Sequence, residues 1–154
     1  MKRRIYTDTS VIGGCLDEEF RAASQQLFAR FAAGDDILVL SELTVKELQQ
    51  APGRVRAVLS AVDQQHIEEV AFIAEAFDMA ERYISAGVIG ASQRVDAQHI
   101  ATATIYRVDV LVSWNFKHIV NLDRIQGYNS VNLRNGYPLL EIRTPQEVLN
   151  YGEA

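Results

Sequence analysis

The chain has 154 residues, of which 48% are apolar and 23% charged, with a formal net charge of −5. This composition predicts one globular domain over residues 1–154, and the acidic balance argues against a protein that coats nucleic acid through general electrostatics. The apolar runs are too short for a membrane span, no secretory signal follows the basic N-terminus, and Cys15 is alone, so we expect a cytoplasmic protein without a disulfide or a membrane partner.

The first third of the chain predicts a strand, a helix and a second strand. Ile5–Tyr6 is short and apolar, as in a buried strand. Apolar side chains then recur at helical spacing over Leu16–Phe31, and Gly34 is expected to end that helix. The four apolar residues Ile37–Leu40 predict the second strand.

The middle of the chain predicts helices only. Ser41 is a favourable N-cap for a helix that carries Val45 and Leu48, and Pro52–Gly53 is expected to end this helix. Two more helices are indicated by apolar spacing over Val55–Val62 and Ile73–Ile84.

The last third returns to alternation. It predicts a helix over Val95–Tyr106, a strand over Asp109–Ser113, a helix over Leu122–Leu133 and a strand over Leu139–Ile142. Thr144–Glu147 has the pattern of a capping box that opens a last short helix. Strands that alternate with helices favour an α/β fold in three αβα layers around a mostly parallel sheet of four or five strands.

Four polar residues are expected near the carboxyl edge of this sheet, where ligands of such folds bind. Asp8 and Asn115 follow strands, Glu47 lies in the helix after the second strand, and Asp96 lies in the first turn of its helix. Oxygen ligands with no cysteine suit Mg²⁺ or Mn²⁺, which can activate a water for phosphodiester hydrolysis.

Each of these residues also has an ordinary structural interpretation. Asp8 and Asp96 could simply cap the helices that they precede or open. Glu47 could be a solvated helix residue, and Asn115 a turn residue.

A second group of side chains near the same edge could contact RNA. Trp114 is the aromatic residue expected to be exposed there, whereas Tyr6 and Phe116 are expected to be buried or half-buried. Cationic or titratable candidates for phosphate contacts are Arg94, Lys117, His118 and Arg124.

The histidines give little support for other chemistry. His99 follows Asp96 by three residues, so the two could pair on one helix face. No histidine spacing typical of zinc occurs, and the nucleophile-elbow, dinucleotide and P-loop motifs are absent.

Four segments taken together resemble the PIN domain family, and especially its VapC-like toxins. They occur in the family's order and at roughly its distances: Ile5–Ser10, Ser41–Leu48, Asp96–Ala103 and Val110–His118. The resemblance implies a parallel sheet between helices and a Mg²⁺-dependent endoribonuclease.

The resemblance also implies site residues and partners. Asp8, Glu47 and Asp96 would be the metal-site acids, and Asn115 would stand where relatives often carry an aspartate and would position the water or a phosphate oxygen. The implied partners are an RNA substrate, an antitoxin that covers the acidic site, and a second copy of the chain that contacts the helices around Val45–Leu59.

One departure from the family pattern keeps an alternative open. Many relatives carry a further aspartate two or three residues after the fourth position, where this chain has Lys117 and His118. The charge of three carboxylates balances one divalent ion better than it balances two divalent ions. A degenerate PIN-like module that binds RNA or a partner without cleavage is therefore the alternative, and a receiver-like phosphoacceptor domain is a weaker one.

Overall fold

The structure, a computed structural model, describes residues 2–150. Within that range the chain forms one five-stranded sheet, and every strand pairing is parallel. The strands are β1 (Arg4–Thr7), β2 (Ile37–Ser41), β3 (Ile67–Val70), β4 (Val110–Val112) and β5 (Ile142–Arg143). Their order is β3-β2-β1-β4-β5, which places β1 at the centre.

Helices cover both faces of this sheet. They are α1 (Thr9–Gly14), α2 (Arg21–Ala33), α3 (Glu42–Leu48), α4 (Gly53–Ser60), α5 (Ala74–Ser85), α6 (Arg94–Ile105), α7 (Leu122–Arg134) and α8 (Pro145–Asn150), with short 3₁₀ turns at Gln64–His66 and Ala91–Gln93. The predicted αβα fold with a parallel sheet is confirmed. In the described part of the chain, no helix has the length and apolarity needed to cross a membrane.

Strand alternation divides the buried apolar side chains into two cores. Tyr6 and Leu111 face the core that contains residues of α5, α6 and α7, whereas Ile5 and Val110 face the core that contains residues of α1 and α2. A parallel sheet covered on both faces leaves its carboxyl edge as the open place for polar chemistry.

Several predicted helix boundaries are confirmed. Gly34 ends α2 with a left-handed φ of +78°, a conformation that glycine adopts without strain. Ser41 caps α3 by accepting a hydrogen bond from the Thr44 amide. At α8 the predicted capping box forms in both directions between Thr144 and Glu147.

The helix predicted over Leu16–Phe31 is present as α2, but its predicted start is too early, and the short helix α1 before it was not predicted. The helix α1 ends at Gly14, Leu16 is 44% exposed in the connection, and α2 begins only at Arg21. Phe20 fits the helical spacing but lies before α2 and stacks on Trp114.

The strand β3 was not predicted. It carries two acids, Glu68 and Glu69, between Ile67 and Val70, so it lacks the apolar alternation of an internal strand. It lies at the edge of the sheet, where charged side chains are tolerated and hinder pairing between molecules.

The last strand is shorter and later than the predicted Leu139–Ile142. Leu139 is 62% exposed, and the side chain of Asn129 hydrogen-bonds both the amide and the carbonyl of Leu140. These bonds take the place of sheet pairing, which begins at Ile142.

The strand order also bears on the receiver-like alternative. Flavodoxin-like sheets have the order 2-1-3-4-5, whereas here the neighbours of β1 are β2 and β4. The phosphoacceptor interpretation therefore does not fit this topology.

Candidate active site

Asp8 lies directly after β1 at the centre of the carboxyl edge. Its side chain is almost fully buried and caps α1 by accepting from the Val11 amide. The hydroxyl groups of Ser10 and Ser113 donate to its two oxygens, each at 2.6 Å. Capping and the functional interpretation are thus compatible, because three hydrogen-bond donors fix the carboxylate without pairing it with a cationic side chain.

Glu47 approaches from α3 and is bound by a histidine. Its Oε1 lies 2.6 Å from Nε2 of His99 and accepts a hydrogen bond from the Thr9 hydroxyl at 3.1 Å. On the other side of the ring, Nδ1 of His99 lies 2.6 Å from the hydroxyl of the fully buried Tyr6. The predicted pairing of His99 with Asp96 is wrong, since both ring nitrogens have these other partners.

Asp96 lies in the first turn of α6 and contacts Asn115. The Asn115 amide nitrogen donates to Asp96 Oδ2 at 3.3 Å, while its Oδ1 accepts from the amides of Lys117 and His118. Two backbone donors on Oδ1 determine the orientation of the amide. Asn115 therefore organises the turn after β4 and orients Asp96, as its turn interpretation predicted.

The electrostatics differ among the three acids. Burial raises the pKa of Asp8, although His99 and the serine hydroxyls oppose the shift. Burial also raises the pKa of Asp96; His99 and His118 oppose this shift, and the charges of Asp8 and Glu47 add to it. Burial raises the pKa of Glu47 too, but the hydrogen bond and charge of His99 outweigh it, so the Glu47 pKa is lowered.

The donor set suits a divalent ion in its chemistry but is not a preformed cage. Two carboxylates with raised pKa values lie near a third one, an arrangement that a cation would stabilise. Over residues 2–150, however, no three carboxylate, imidazole or thiol groups lie close enough to bind one metal ion together. Ion binding by Asp8, Asp96 and Glu47 stays a prediction.

The predicted RNA contacts are only partly available in the structure. Arg94 pairs with Glu81 on the neighbouring helix at 2.9 Å, whereas Lys117 is exposed. His118 is half-buried near Asp96, and its Nδ1 has no hydrogen-bond partner among the described residues.

Tyr6 is fully buried, as predicted, but the predictions for Trp114 and Phe116 are wrong. Trp114 is half-buried: its ring stacks on Phe20 at 4.4 Å, and its Nε1 donates to Ser24. Phe116, expected to be buried or half-buried, is 51% exposed beside them.

Sequence reasoning missed the residues that orient the acids. Ser10 and Ser113 bind Asp8, and His99 binds Glu47. The position of Ser10 just after Asp8, and of Ser113 directly after β4, could have indicated that these serines bind the Asp8 carboxylate. His99 lies in α6 and Glu47 in α3, so no sequence spacing indicates that the two side chains are in contact.

Comparisons with known proteins show likeness at the level of structure. No protein-family model matches the sequence, and no curated protein does. The solved structure of VapBC2 from Rickettsia felis, bound to a DNA fragment from its promoter, matches with a TM-score of 0.58 and 12% identity over 92% of this chain and 98% of that chain.

Two further structures match in the same way. FitAcB from Neisseria gonorrhoeae gives a TM-score of 0.57 and 14% identity over 92% of this chain and 98% of that one. VapC20 from Mycobacterium tuberculosis, a toxin that cleaves the sarcin-ricin loop, gives a TM-score of 0.51 and 14% identity over 73% of this chain and 91% of that chain.

The chain thus has an α/β fold with its acids gathered at the carboxyl edge of a parallel sheet. This fold is the PIN-like fold of the VapC toxins.

Proposed function

We propose that the chain is a Mg²⁺- or Mn²⁺-dependent endoribonuclease that acts as the toxin of a toxin–antitoxin pair. The observation that carries the proposal is the buried Asp8 carboxylate at the centre of the carboxyl edge, with Asp96 near enough for the two charges to repel. The likeness to VapC20, a toxin that cleaves RNA, supports the substrate class.

The chain's own groups would have separate tasks. Asp8, Asp96 and Glu47 would hold the ion, with Ser10 and Ser113 fixing the Asp8 oxygens. When bound, the ion would orient a water molecule, lower its pKa and offset charge on the phosphodiester.

The residues beside the acids would orient Asp96 and the RNA. Asn115 orients Asp96, and the exposed Lys117 next to it could bind an RNA phosphate. The exposed ring of Phe116 is the better candidate for stacking on a base, because the Trp114 ring already stacks on Phe20.

The partners are part of the proposal. An antitoxin peptide with a basic side chain among the acids would neutralise their repulsion, and the likeness to VapBC2 supports such a partner. For the homodimer, Val45 is 40% exposed, whereas Leu48 is buried and Leu59 packs against the chain's own core. Val45 is therefore the best candidate for an apolar contact on this surface.

A second candidate function is binding without cleavage. It is favoured by the lack of a three-group metal cluster among residues 2–150. A molecule of this kind would bind RNA or the antitoxin at the same edge.

Cleavage of a labelled single-stranded RNA pool separates the two functions. We expect cutting with Mg²⁺ or Mn²⁺, none with EDTA, and a loss of at least about 100-fold in Asp8→Asn and Asp96→Asn, because charge that offsets the transition state is removed. Asp78→Asn, an exposed aspartate on α5, is the matched control and should cut normally.

Two outcomes would contradict the ribonuclease. Cutting that survives in both site variants would indicate a contaminating nuclease. Binding of the pool by a folded protein that cuts nothing with either ion would favour the binding module.

A further inference from the structure

A continuous chain of hydrogen bonds runs from the protein interior to Glu47. The hydroxyls of Ser41 and Tyr6 lie 2.7 Å apart, Tyr6 lies 2.6 Å from His99 Nδ1, and His99 Nε2 lies 2.6 Å from Glu47 Oε1. Ser41, Tyr6 and His99 are buried, so water does not compete for the two hydrogen bonds among these three residues. The four residues come from β2, β1, α6 and α3.

The direction of each bond follows from its ends. A carboxylate only accepts, so the proton between His99 and Glu47 is on Nε2. When the imidazole is neutral, Nδ1 then accepts, and the Tyr6 hydroxyl must donate to it. Ser41 in turn donates to Tyr6 while accepting from the Thr44 amide.

Both hydrogen bonds to Glu47 converge on the same oxygen. His99 and the Thr9 hydroxyl each bond Oε1, which leaves Oε2 as the oxygen for another ligand. We propose that His99 and Tyr6 are positioning residues that hold Glu47 so that Oε2 alone is presented to the cation. This inference rests on the proposed function.

A purely structural role would not require this arrangement. The Glu47 side chain is 41% exposed, so water could satisfy its oxygens without a protein donor. What His99 adds is direction, because an unrestrained glutamate samples several rotamers. Partners that orient ligating side chains typically change metal affinity 10- to 100-fold when they are removed.

The test is Mn²⁺ affinity, measured by electron paramagnetic resonance on the full chain, with thermal unfolding to confirm the fold. His99→Leu removes both bonds and should weaken Mn²⁺ binding about 10- to 100-fold. His99→Gln keeps an N–H near the position of Nε2 and an acceptor for Tyr6, and should bind within about threefold of wild type.

Tyrosine variants test the inner end of the chain of bonds. Tyr6→Phe removes one hydroxyl and should weaken Mn²⁺ binding by several-fold, roughly 3 to 10. Tyr83→Phe is the matched control: this tyrosine is also fully buried, and its hydroxyl bonds Asn132 away from the site. It should lose thermal stability without losing Mn²⁺ affinity.

The outcomes separate the two proposals. If Asp8→Asn abolishes Mn²⁺ binding while His99→Leu and Tyr6→Phe bind as wild type, the positioning role is refuted and the metal site stands. If the wild type binds no Mn²⁺, the metal site fails, and with it the positioning role.

A nitrogen NMR measurement tests the bond directions without a metal. For the neutral imidazole, the ¹⁵N shifts of His99 should show the proton on Nε2. Tyr6→Phe should shift the Nδ1 resonance, and His99→Gln assigns the signals by removing them. A proton found on Nδ1 would overturn the proposed network.

Discussion

At the scale of single residues, two of the three acids of the site, Asp8 and Asp96, lie where folding disfavours their charge. Burial is the main cause for Asp8 and Asp96, and for Asp96 the charges of Asp8 and Glu47 add to it. Glu47 differs because His99 stabilises its ionised form. A site of this kind lowers stability in exchange for function, a common trade-off in active sites.

Removing one of these charges should therefore stabilise the metal-free protein. The folded-state pKa of Asp96 is raised, so its contribution to stability is full below the unfolded pKa and is lost as pH rises through the folded value. At pH 7 in EDTA, Asp96→Asn should be more stable than wild type by on the order of 1 kcal/mol. Thermal unfolding measures this difference.

Added Mg²⁺ or Mn²⁺ should make the wild type more stable than Asp96→Asn, the reverse of the order in EDTA. Mg²⁺ or Mn²⁺ should raise the Tm of the wild type, because it binds only the folded state, and should leave Asp96→Asn nearly unchanged. Asp78→Asn, on the outside of α5, should respond as wild type. An equal rise in Tm for wild type and Asp96→Asn would contradict ion binding at Asp96.

At the scale of elements, the packing of α1 against α2 depends on a glycine. A Cβ on Gly14 would lie 2.6 Å from Ser24 Oγ and 2.8 Å from Trp114 Nε1, two atoms that hydrogen-bond each other. The neighbouring Gly13 has no atom within 4 Å of such a Cβ. The two glycines form a matched pair in the same helix.

Gly14→Ala should destabilise the protein by about 1–3 kcal/mol, because the inserted methyl group separates Trp114 from Ser24. Gly13→Ala should be neutral or stabilising by up to about 1 kcal/mol, since alanine is the better helix former. Urea unfolding followed by the fluorescence of the single tryptophan reports both stability and the surroundings of the ring. Equal effects of the two substitutions would refute the close approach at Gly14.

The elements also show what the sequence could predict. The strands β1, β2 and β4 and the caps at Ser41, Gly34 and Thr144 are local patterns, and all were predictable. The edge strand β3 was not, because its partner β2 supplies the pairing that its own acidic sequence does not indicate.

At the scale of the whole molecule, one buried acid links distant parts of the chain. Asp36, before β2, accepts two hydrogen bonds from Arg3 and one from Arg30 at the end of α2. Arg3 also donates to the Val148 carbonyl in α8. The start of the sheet, a helix end and the last described helix thus meet at one carboxylate.

Asp36→Asn should therefore weaken the fold, and more so at neutral than at acid pH. Burial raises the pKa of Asp36, but the hydrogen bonds and charges of Arg3 and Arg30 outweigh it, so the folded-state pKa is lowered. The stabilisation is present above the unfolded pKa and is lost as pH falls through the folded one. We expect a loss on the order of 2 kcal/mol at pH 7.

Urea unfolding at pH 7 and at about pH 3 measures this dependence. The difference in the free energy of unfolding between wild type and Asp36→Asn should be smaller at the lower pH. Asp35→Asn, the exposed neighbour, is the matched control and should change stability little at either pH. A gap that stays constant between the two pH values would show that the ion pairs do not carry the effect.

The sequence by itself determined the alternation of strands and helices, the parallel sheet and the position of Asp8 at its carboxyl edge, because these follow from short-range patterns of polarity and turn residues. Only the tertiary structure decided what each acid touches. His99 and Glu47 are 52 residues apart, and Asn115 meets Asp96 across 19. Such contacts depend on how α3, α6 and the turn after β4 pack together, and packing is set by the whole core rather than by any local pattern.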